Sequence, residues 1–280
     1  MTKVVSNLRR LNIPAFWLLA IGVGLTVIHL SLLWQTKNPN ILGMNLLYWL
    51  AICSLLWEKR RSLTLNSSLF SSFTGTVLIT LVLLKSTSPF EQHVPPLMSA
   101  VGLGMLASGL RGLKQYWREL LLFLVLELSR QPFAQFIEIS ELTAKFAAYI
   151  LWYLNFKVSS QGVNITLSRG SVEVFHGCSG MESIIFVLGL ALLFLMLFPT
   201  RIRNIILIPI VAIFLGFIMN GFRVALLAVL VDLSSKETFK YWHQGDGSLI
   251  FSVVTTLIFG VFCWLLLQLD SPLNQDSVDP

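Results

Sequence analysis

Charge is scarce in this sequence. Of its 280 residues only 12% are Asp, Glu, Lys or Arg, whereas about 25% is typical of soluble globular domains. So few charged side chains cannot cover a water-facing surface of this size, which excludes a soluble cytosolic enzyme. Hydrophobic residues make up 55% of the chain and Phe alone contributes 20 residues, which excludes intrinsic disorder. The composition is that of a polytopic membrane protein.

Cysteine is also scarce, and the signatures of several common enzyme classes are absent. Cys53, Cys178 and Cys263 are too few for a disulfide framework. No HExxH, GxSxG or Walker pattern occurs. The net charge of +6 comes from Lys and Arg in short, scattered clusters, as on the cytoplasmic loops of membrane proteins. We therefore expect no nucleic-acid partner, no cofactor and no metal.

Long apolar runs recur along the chain. A transmembrane helix needs about 20 mostly apolar residues, and eight windows approach this requirement: 15–34, 41–57, 69–84, 96–110, 120–136, 179–198, 204–231 and 248–269. We predict an all-α polytopic membrane protein with about eight transmembrane helices. They form one domain over residues 1–269, followed by a polar, disordered cytoplasmic tail over 270–280.

The positions of Lys and Arg predict the orientation, because cytoplasmic loops are enriched in both. With eight spans and the N-terminus inside, eleven of the 20 basic residues fall in the inner segments: Lys3, Arg9, Arg10, Lys59, Arg60, Arg61, Arg111, Lys114, Arg118, Arg201 and Arg203. Of the other nine, three lie in one long loop over residues 137–177, where charge has little influence: Lys145, Lys157 and Arg169. We expect both termini to be cytoplasmic.

The longest segment outside the predicted spans covers residues 137–177, on the predicted outer face. Its first part, residues 140–156, places apolar side chains at helical spacing and predicts an amphipathic helix lying on the membrane surface; these are Leu142, Phe146, Tyr149, Ile150 and Tyr153. Residues 158–167 and 171–174 then alternate around Ser168-Arg169-Gly170, which predicts a small β-hairpin.

Cys178 lies at the outer mouth of the sixth predicted span, within His176-Gly177-Cys178-Ser179-Gly180. Most membrane cysteines are small apolar fillers. Here polar and small residues surround the thiol and a helix begins beside it, so we expect the helix N-terminus to lower the thiol pKa. Neither of the other two cysteines is expected to reach Cys178. A single thiol on the oxidising side of the membrane indicates a nucleophile.

Arg223 lies inside the seventh predicted span, within Asn220-Gly221-Phe222-Arg223. An arginine within a span is costly and usually functional. Its ordinary role would be to snorkel to the interface or to form a structural ion pair. Asn220 precedes it by three residues, so both side chains share one face of the helix.

His243 lies just before the eighth predicted span, within Tyr241-Trp242-His243-Gln244. An interfacial histidine next to Tyr and Trp is often only part of an aromatic belt. However, the predicted topology brings Cys178, Arg223 and His243 to the same face of the membrane. A thiol nucleophile, an imidazole that carries protons and a cation that stabilises an oxyanion or a thiolate form a complete set for acyl transfer.

The sequence resembles the exosortase/archaeosortase family, and its cyanobacterial branch most. Cys178-Ser179-Gly180, Asn220-Gly221-Phe222-Arg223 and His243 before the last span carry the resemblance. It also includes the eight-helix layout and the outer hairpin that leads into the cysteine, over about residues 11–269. One difference is that Met181-Glu182 follows here, whereas many relatives have a hydrophobic and then a basic residue.

The resemblance implies a cysteine transpeptidase of the bacterial plasma membrane. Its partners would be exported proteins that carry a C-terminal sorting signal, made of a Pro-Glu-Pro-like motif, a hydrophobic helix and a basic tail. Cys178 would be the nucleophile, Arg223 the stabiliser and His243 the acid and base. Ser179, Gly180, Asn220 and His176 would support them. The acceptor nucleophile is left open.

Three alternatives remain at the level of the sequence. A transporter would use Arg223 to bind an anionic substrate, but it would leave Cys178 and His243 without a role, and the spans contain no inverted repeat. A non-catalytic assembly protein would tolerate loss of the thiol. A hydrolase would use the same three residues and differ only in its acceptor, which would be water.

Overall fold

The computed structural model describes residues 13–35, 39–86, 95–128, 137–233 and 236–270. The chain divides into two compact units, Met1–Glu127 and Leu128–Pro280. The sequence-based prediction of one transmembrane domain over 1–269 and a disordered tail stays a prediction, and the tail lies outside the described residues. Helices dominate both units.

The described part of the first unit is mostly helical, with a non-helical segment over residues 60–68. It contains α1 (Ile13–Gln35), α2 (Pro39–Lys59), α3 (Leu69–Ser86), α4 (Pro96–Gly112), a 3₁₀ turn (Leu113–Tyr116) and the start of α5 (Trp117–Leu128). α3 and α4 approach so closely that a Cβ on Gly75 would lie 2.7 Å from the carbonyl oxygen of Gly102. Glycine at such crossings lets helix backbones pack tightly in a membrane. Lys59 at the end of α2 bonds the buried Glu119 of α5 at 2.7 Å.

The second unit combines helices with a small sheet. It contains α6 (Ser140–Tyr153), β1 (Ser159–Gln161), β2 (Asn164–Thr166), β3 (Ser171–Glu173), a 3₁₀ turn (His176–Cys178), α7 (Met181–Leu197), α8 (Ile202–Asp232), α9 (Lys236–Gln244) and α10 (Gly247–Asp270). All residues of the predicted acyl-transfer set belong to this unit.

Four described helices are long and apolar enough to cross a membrane, which supports a multi-pass membrane protein. They are Ala15–Gln35, Ile41–Lys59, Ile202–Asp232 and Gly247–Asp270; Leu69–Lys85 and Met181–Leu197 are apolar but shorter. Helices occupy all eight predicted windows as far as these are described. Part of the fifth window, residues 129–136, lies outside the described residues. The count of eight spans therefore stays a prediction.

The sheet has one strand more than the predicted hairpin. The strands are antiparallel in the order β1-β2-β3, with Ser160 opposite Ile165 and Ile165 opposite Val172. The turn at Ser168-Arg169-Gly170 joins β2 to β3 as predicted. The prediction of a single strand over 158–167 is wrong, because the chain turns at Gly162, whose φ of 57° is easily adopted only by glycine.

The helix predicted over 140–156 is present as α6, which ends at Tyr153, and its predicted place on the membrane surface stays a prediction. Leu142, Tyr149 and Tyr153 are exposed, at 57%, 62% and 78% of their surface. The buried face consists instead of small residues and one leucine: Ser140, Thr143, Ala144, Ala147, Ala148 and Leu151. Small side chains let α6 lie close against α8. Phe146 does pack inward, and its ring fills the space that a Cβ on Gly221 would need.

α8 is the central helix of the second unit. A Cβ on Gly216 would lie 2.8 Å from the Cα of Ile184, so α7 and α8 are in backbone contact. At the other end of α8, Asn204 donates a hydrogen bond of 2.6 Å to Asp270 of α10. These contacts fix the helices that precede and follow the functional residues. The sheet covers a core shared by α6 and α8: Ala144, Ala147, Ala148, Leu151, Ile165, Leu167, Val174, Cys178, Val224, Ala225 and Ala228.

Candidate active site

Cys178 ends the 3₁₀ turn that connects the sheet to α7. Its backbone N–H donates to the carbonyl of Phe175 at 2.8 Å. Gly180 then adopts a φ of 99°, which reverses the chain into α7. Cys178 is only 8% exposed. The thiol therefore sits in a tight, largely desolvated turn whose path depends on Gly180.

His243 reaches this thiol from the last turn of α9. Its Nε2 lies 3.4 Å from the Sγ of Cys178, within the range of a sulfur hydrogen bond. The imidazole stacks on Phe239 at 5.1 Å between ring centroids, one helical turn earlier, and meets the edge of Phe175 at 6.2 Å. Two aromatic contacts thus hold the ring in the orientation that presents Nε2 to the sulfur.

Arg223 of α8 completes the group from a third helix. Its Nη2 donates a hydrogen bond of 2.9 Å to the backbone carbonyl of His243. Its Nε is buried and, among the described residues, has no hydrogen-bond partner. A buried, unpaired N–H on a cation is costly unless a ligand uses it. Arg223 therefore fixes the backbone of His243 and keeps one donor unused.

Asn220 and Thr143 anchor the turn that carries the thiol. Asn220 donates to the carbonyl of Cys178 at 3.0 Å, and Thr143 of α6 donates to the carbonyl of the fully buried Ser179. The hydroxyl oxygen of Ser179 in turn accepts the N–H of Met181 at 3.4 Å. A Cβ on Gly180 would lie 2.7 Å from the Asn220 amide nitrogen. The absence of a side chain at residue 180 is what allows the Asn220 amide to approach.

The residues of this site fall within a match to a known family. The family model described as transmembrane exosortase (Exosortase_EpsH) matches residues 34–260. The chain belongs to the exosortase family. This membership makes it a membrane enzyme of a protease and transpeptidase family that processes sorting signals. No curated protein and no solved structure matches it significantly. The closer resemblance to a cyanobacterial branch stays a prediction.

The electrostatics correct one expectation about this exosortase. Burial raises the pKa of the Cys178 thiol above its ordinary value; the Arg223 charge lowers the pKa and Glu182 raises it. The expected net lowering of the thiol pKa by a helix N-terminus is wrong, because burial of the thiol is the largest influence on that pKa and raises it. Burial, followed by the Arg223 charge, lowers the pKa of His243. At neutral pH both groups are therefore uncharged.

His176, predicted as a supporting residue, begins the 3₁₀ turn that ends at Cys178, and its backbone carbonyl accepts the N–H of Ser179 at 3.1 Å. Its Nε2 is buried and, within the described part of the chain, has no hydrogen-bond partner. The sequence also gave no indication of Thr143, which contacts the site only through the packing of α6. Phe239 could have been found, because it lies four residues before His243 on a short helix and so faces the same side.

Proposed function

We propose that this exosortase-family protein is a cysteine-type endopeptidase or transpeptidase. It cleaves the C-terminal sorting signal of exported proteins, a Pro-Glu-Pro-like motif followed by a hydrophobic helix and a basic tail, and forms a thioacyl-enzyme. The distance of 3.4 Å between Cys178 Sγ and His243 Nε2 carries the proposal. It joins a nucleophile and a base from two distant parts of the sequence, which packing alone does not require.

Acylation begins from the neutral pair. Nε2 of His243 accepts the thiol proton as Sγ of Cys178 attacks the scissile carbonyl, and the carbonyl π electrons move to oxygen. The resulting oxyanion is stabilised by the Arg223 guanidinium, whose Nε has no other partner. The C–N bond then breaks, and the imidazolium of His243 gives its proton to the leaving amine. The hydrophobic helix departs with this new N-terminus.

Deacylation repeats these steps with an acceptor. His243 accepts a proton from the incoming amine, hydroxyl or water, which attacks the thioester carbonyl. The tetrahedral intermediate collapses, and the thiolate of Cys178 leaves and takes the proton back from His243. Hydrolysis and transfer share the thioacyl-enzyme and differ only in the acceptor. The measurement that separates them is the mass of the new C-terminus of the substrate.

The site belongs, in this proposal, to the outer face of the bacterial plasma membrane, with both termini cytoplasmic. α8 has 31 residues and rises about 46 Å, more than the hydrocarbon thickness of about 30 Å. It begins next to Arg201 and Arg203, which suit the cytoplasmic interface. Arg223 lies about 31 Å further along the helix axis. That distance corresponds to the outer edge of the hydrocarbon region, where a sorting signal leaves the bilayer.

Substitution of Cys178 tests the proposal. We expect Cys178→Ala to accumulate in the membrane and to leave a coexpressed sorting-signal protein uncleaved, as judged by mass spectrometry of its C-terminus. Cys53→Ala, at an exposed position in the first unit, should process the substrate normally. Processing by Cys178→Ala would refute the proposal in favour of a non-catalytic assembly protein or a transporter.

Labelling with a membrane-impermeant thiol reagent on intact cells tests the topology in the same strains. The wild-type protein should be labelled and Cys178→Ala should not. Labelling that persists in Cys178→Ala would overturn the outer location of the thiol.

A further inference from the structure

The outer edge of β3 has backbone hydrogen-bonding groups that take no part in the ladder to β2. The Val174 N–H donates to Val163 O at 2.8 Å and the Leu167 N–H donates to Gly170 O at 2.8 Å. In an antiparallel ladder the bonded pairs alternate with unbonded ones, so Val172 and Ile165 form the bonded pair between them.

It follows that the backbone groups of Ser171 and Glu173 point away from β2. Both residues are exposed, and among the described residues neither N–H has an acceptor. An added strand pairs with an edge strand through the outward backbone groups of every second residue, and Ser171 and Glu173 provide two such residues. One face of β3 is already covered, because the Val172 side chain packs against the core that the sheet shares with α6 and α8.

This edge leads directly to the nucleophile. Only Val174, Phe175 and the 3₁₀ turn separate Glu173 from the thiol of Cys178. Phe175 is extended, with φ −79° and ψ 170°, and 53% of its surface is exposed. Its ring borders His243. A peptide paired with β3 therefore continues along Phe175 toward Cys178 and His243.

We propose that the substrate segment next to the scissile bond binds as an extended strand on the outer edge of β3. The inference rests on the proposed function and specifies how the same site holds its peptide. The ligand is a polypeptide in β conformation, held by main-chain hydrogen bonds to Ser171 and Glu173. Alternate side chains of the substrate then face the enzyme, so a short motif with two-residue periodicity is selected.

The opposite edge of the sheet provides a matched control. By the same alternation, the backbone N–H and C=O of Ser160 in β1 point away from β2. β1 precedes the nucleophile by 17 residues and does not lead into the site. Removing its N–H disturbs an edge of the same sheet without touching the proposed peptide path.

Proline substitution at Glu173 tests the inference, because proline removes the N–H while its φ suits an edge strand. The ladder to β2 is unaffected, since the Glu173 N–H takes no part in it. Glu173→Ala measures the effect of losing the Glu173 side chain. The ratio of kcat/KM between Glu173→Pro and Glu173→Ala then isolates the effect of losing the backbone N–H. For a purified sorting-signal reporter in detergent, we expect kcat/KM of Glu173→Pro to be about 3–10-fold below that of Glu173→Ala. The loss should lie in KM.

The controls separate this inference from the proposed function. Ser160→Pro should stay within about twofold of the wild-type kcat/KM, a difference smaller than the loss of one hydrogen bond. Alkylation of Cys178 by iodoacetamide should be unchanged in Glu173→Pro, which shows that the site is intact. Equal kcat/KM for Glu173→Pro and Glu173→Ala would overturn the inference alone. Processing by Cys178→Ala would overturn the function instead.

A scan of the substrate backbone covers the case in which Glu173→Pro does not accumulate. Synthetic sorting-signal peptides are N-methylated at one residue at a time next to the scissile bond and assayed with the wild-type enzyme. Loss of cleavage at every second position is expected, because alternate N–H groups face β3. Losses without a two-residue period would overturn the inference.

Discussion

Replacing Arg223 by Lys separates the two tasks that the structure gives to its guanidinium. Nη2 holds the carbonyl of His243 at 2.9 Å, while the buried Nε is unpaired among the described residues. Lysine has a single nitrogen on a flexible stem, whereas arginine holds several donors in a rigid plane. Lysine can therefore hold the carbonyl or reach the oxyanion, and not both at once.

The expected magnitude follows from these two contacts. A hydrogen bond from a charged group is worth about 1.5–3 kcal/mol, and an oxyanion donor about 100–1,000-fold in rate. If Lys keeps the carbonyl, the oxyanion donor is lost. We expect kcat of Arg223→Lys to fall about 100-fold or more. Arg203→Lys, at an exposed position near the start of the same helix, is the control and should process normally.

Arg223→Gln adds a test of the charge itself. The Arg223 charge lowers the pKa of both Cys178 and His243, so its removal should raise both values. The acid limb of kcat/KM against pH should then move to higher pH, because His243 must be neutral to accept the thiol proton. Alkylation of Cys178 should require a higher pH as well. In Arg223→Lys the charge remains, and neither profile should move.

Near wild-type processing by Arg223→Lys, at matched expression, would refute the catalytic assignment. Arg223 would then only snorkel to the interface or position a backbone, tasks that lysine performs equally well. A fall in kcat with unmoved pH profiles is the result that the geometry requires.

Two further predictions concern the turn around the nucleophile. Gly180→Ala should lower the free energy of unfolding by about 1–2 kcal/mol, because residue 180 has a left-handed backbone, and it should slow processing, because the new Cβ displaces the Asn220 amide. The control is Gly162→Ala, which also has a positive φ but open space around its Cβ and should process normally. Equal activity of the two variants would contradict the argument. Glu182→Gln should lower the pKa of the Cys178 thiol, since the Glu182 charge raises it. The pH profile of Cys178 alkylation should then move to lower pH, and an unmoved profile would contradict this.

The proximity of Cys178, Arg223 and His243 was predictable, because polar and charged residue types are costly in a membrane and stand out in the sequence; their chemical role stays a prediction. An arginine within an apolar run and a lone cysteine among small polar residues are both conspicuous against the low charge of this chain. The thiol pKa was not predictable. It depends on how completely the surrounding elements exclude water from Cys178, and no local pattern contains that quantity.

The small sheet was also only partly predictable from the sequence. The polar turn at Ser168-Arg169-Gly170 marks the hairpin between β2 and β3 in the sequence. The additional turn at Gly162 was missed, because a single glycine within an alternating run also fits an uninterrupted strand. Which edge of the sheet leads toward Cys178 became visible only from the register of the three strands.

The sequence by itself determined the membrane class, the order of helices and the three residues of the candidate site, because hydrophobic length and the cost of buried charge are local properties of the chain. Only the tertiary structure decided which side chains touch. It set the 3.4 Å contact between Cys178 and His243 and turned the small-residue face of α6 toward α8 instead of the larger aromatic side chains. The physical reason is that close helix packing depends on the shape of two surfaces at once. A pattern along one segment records only one of them.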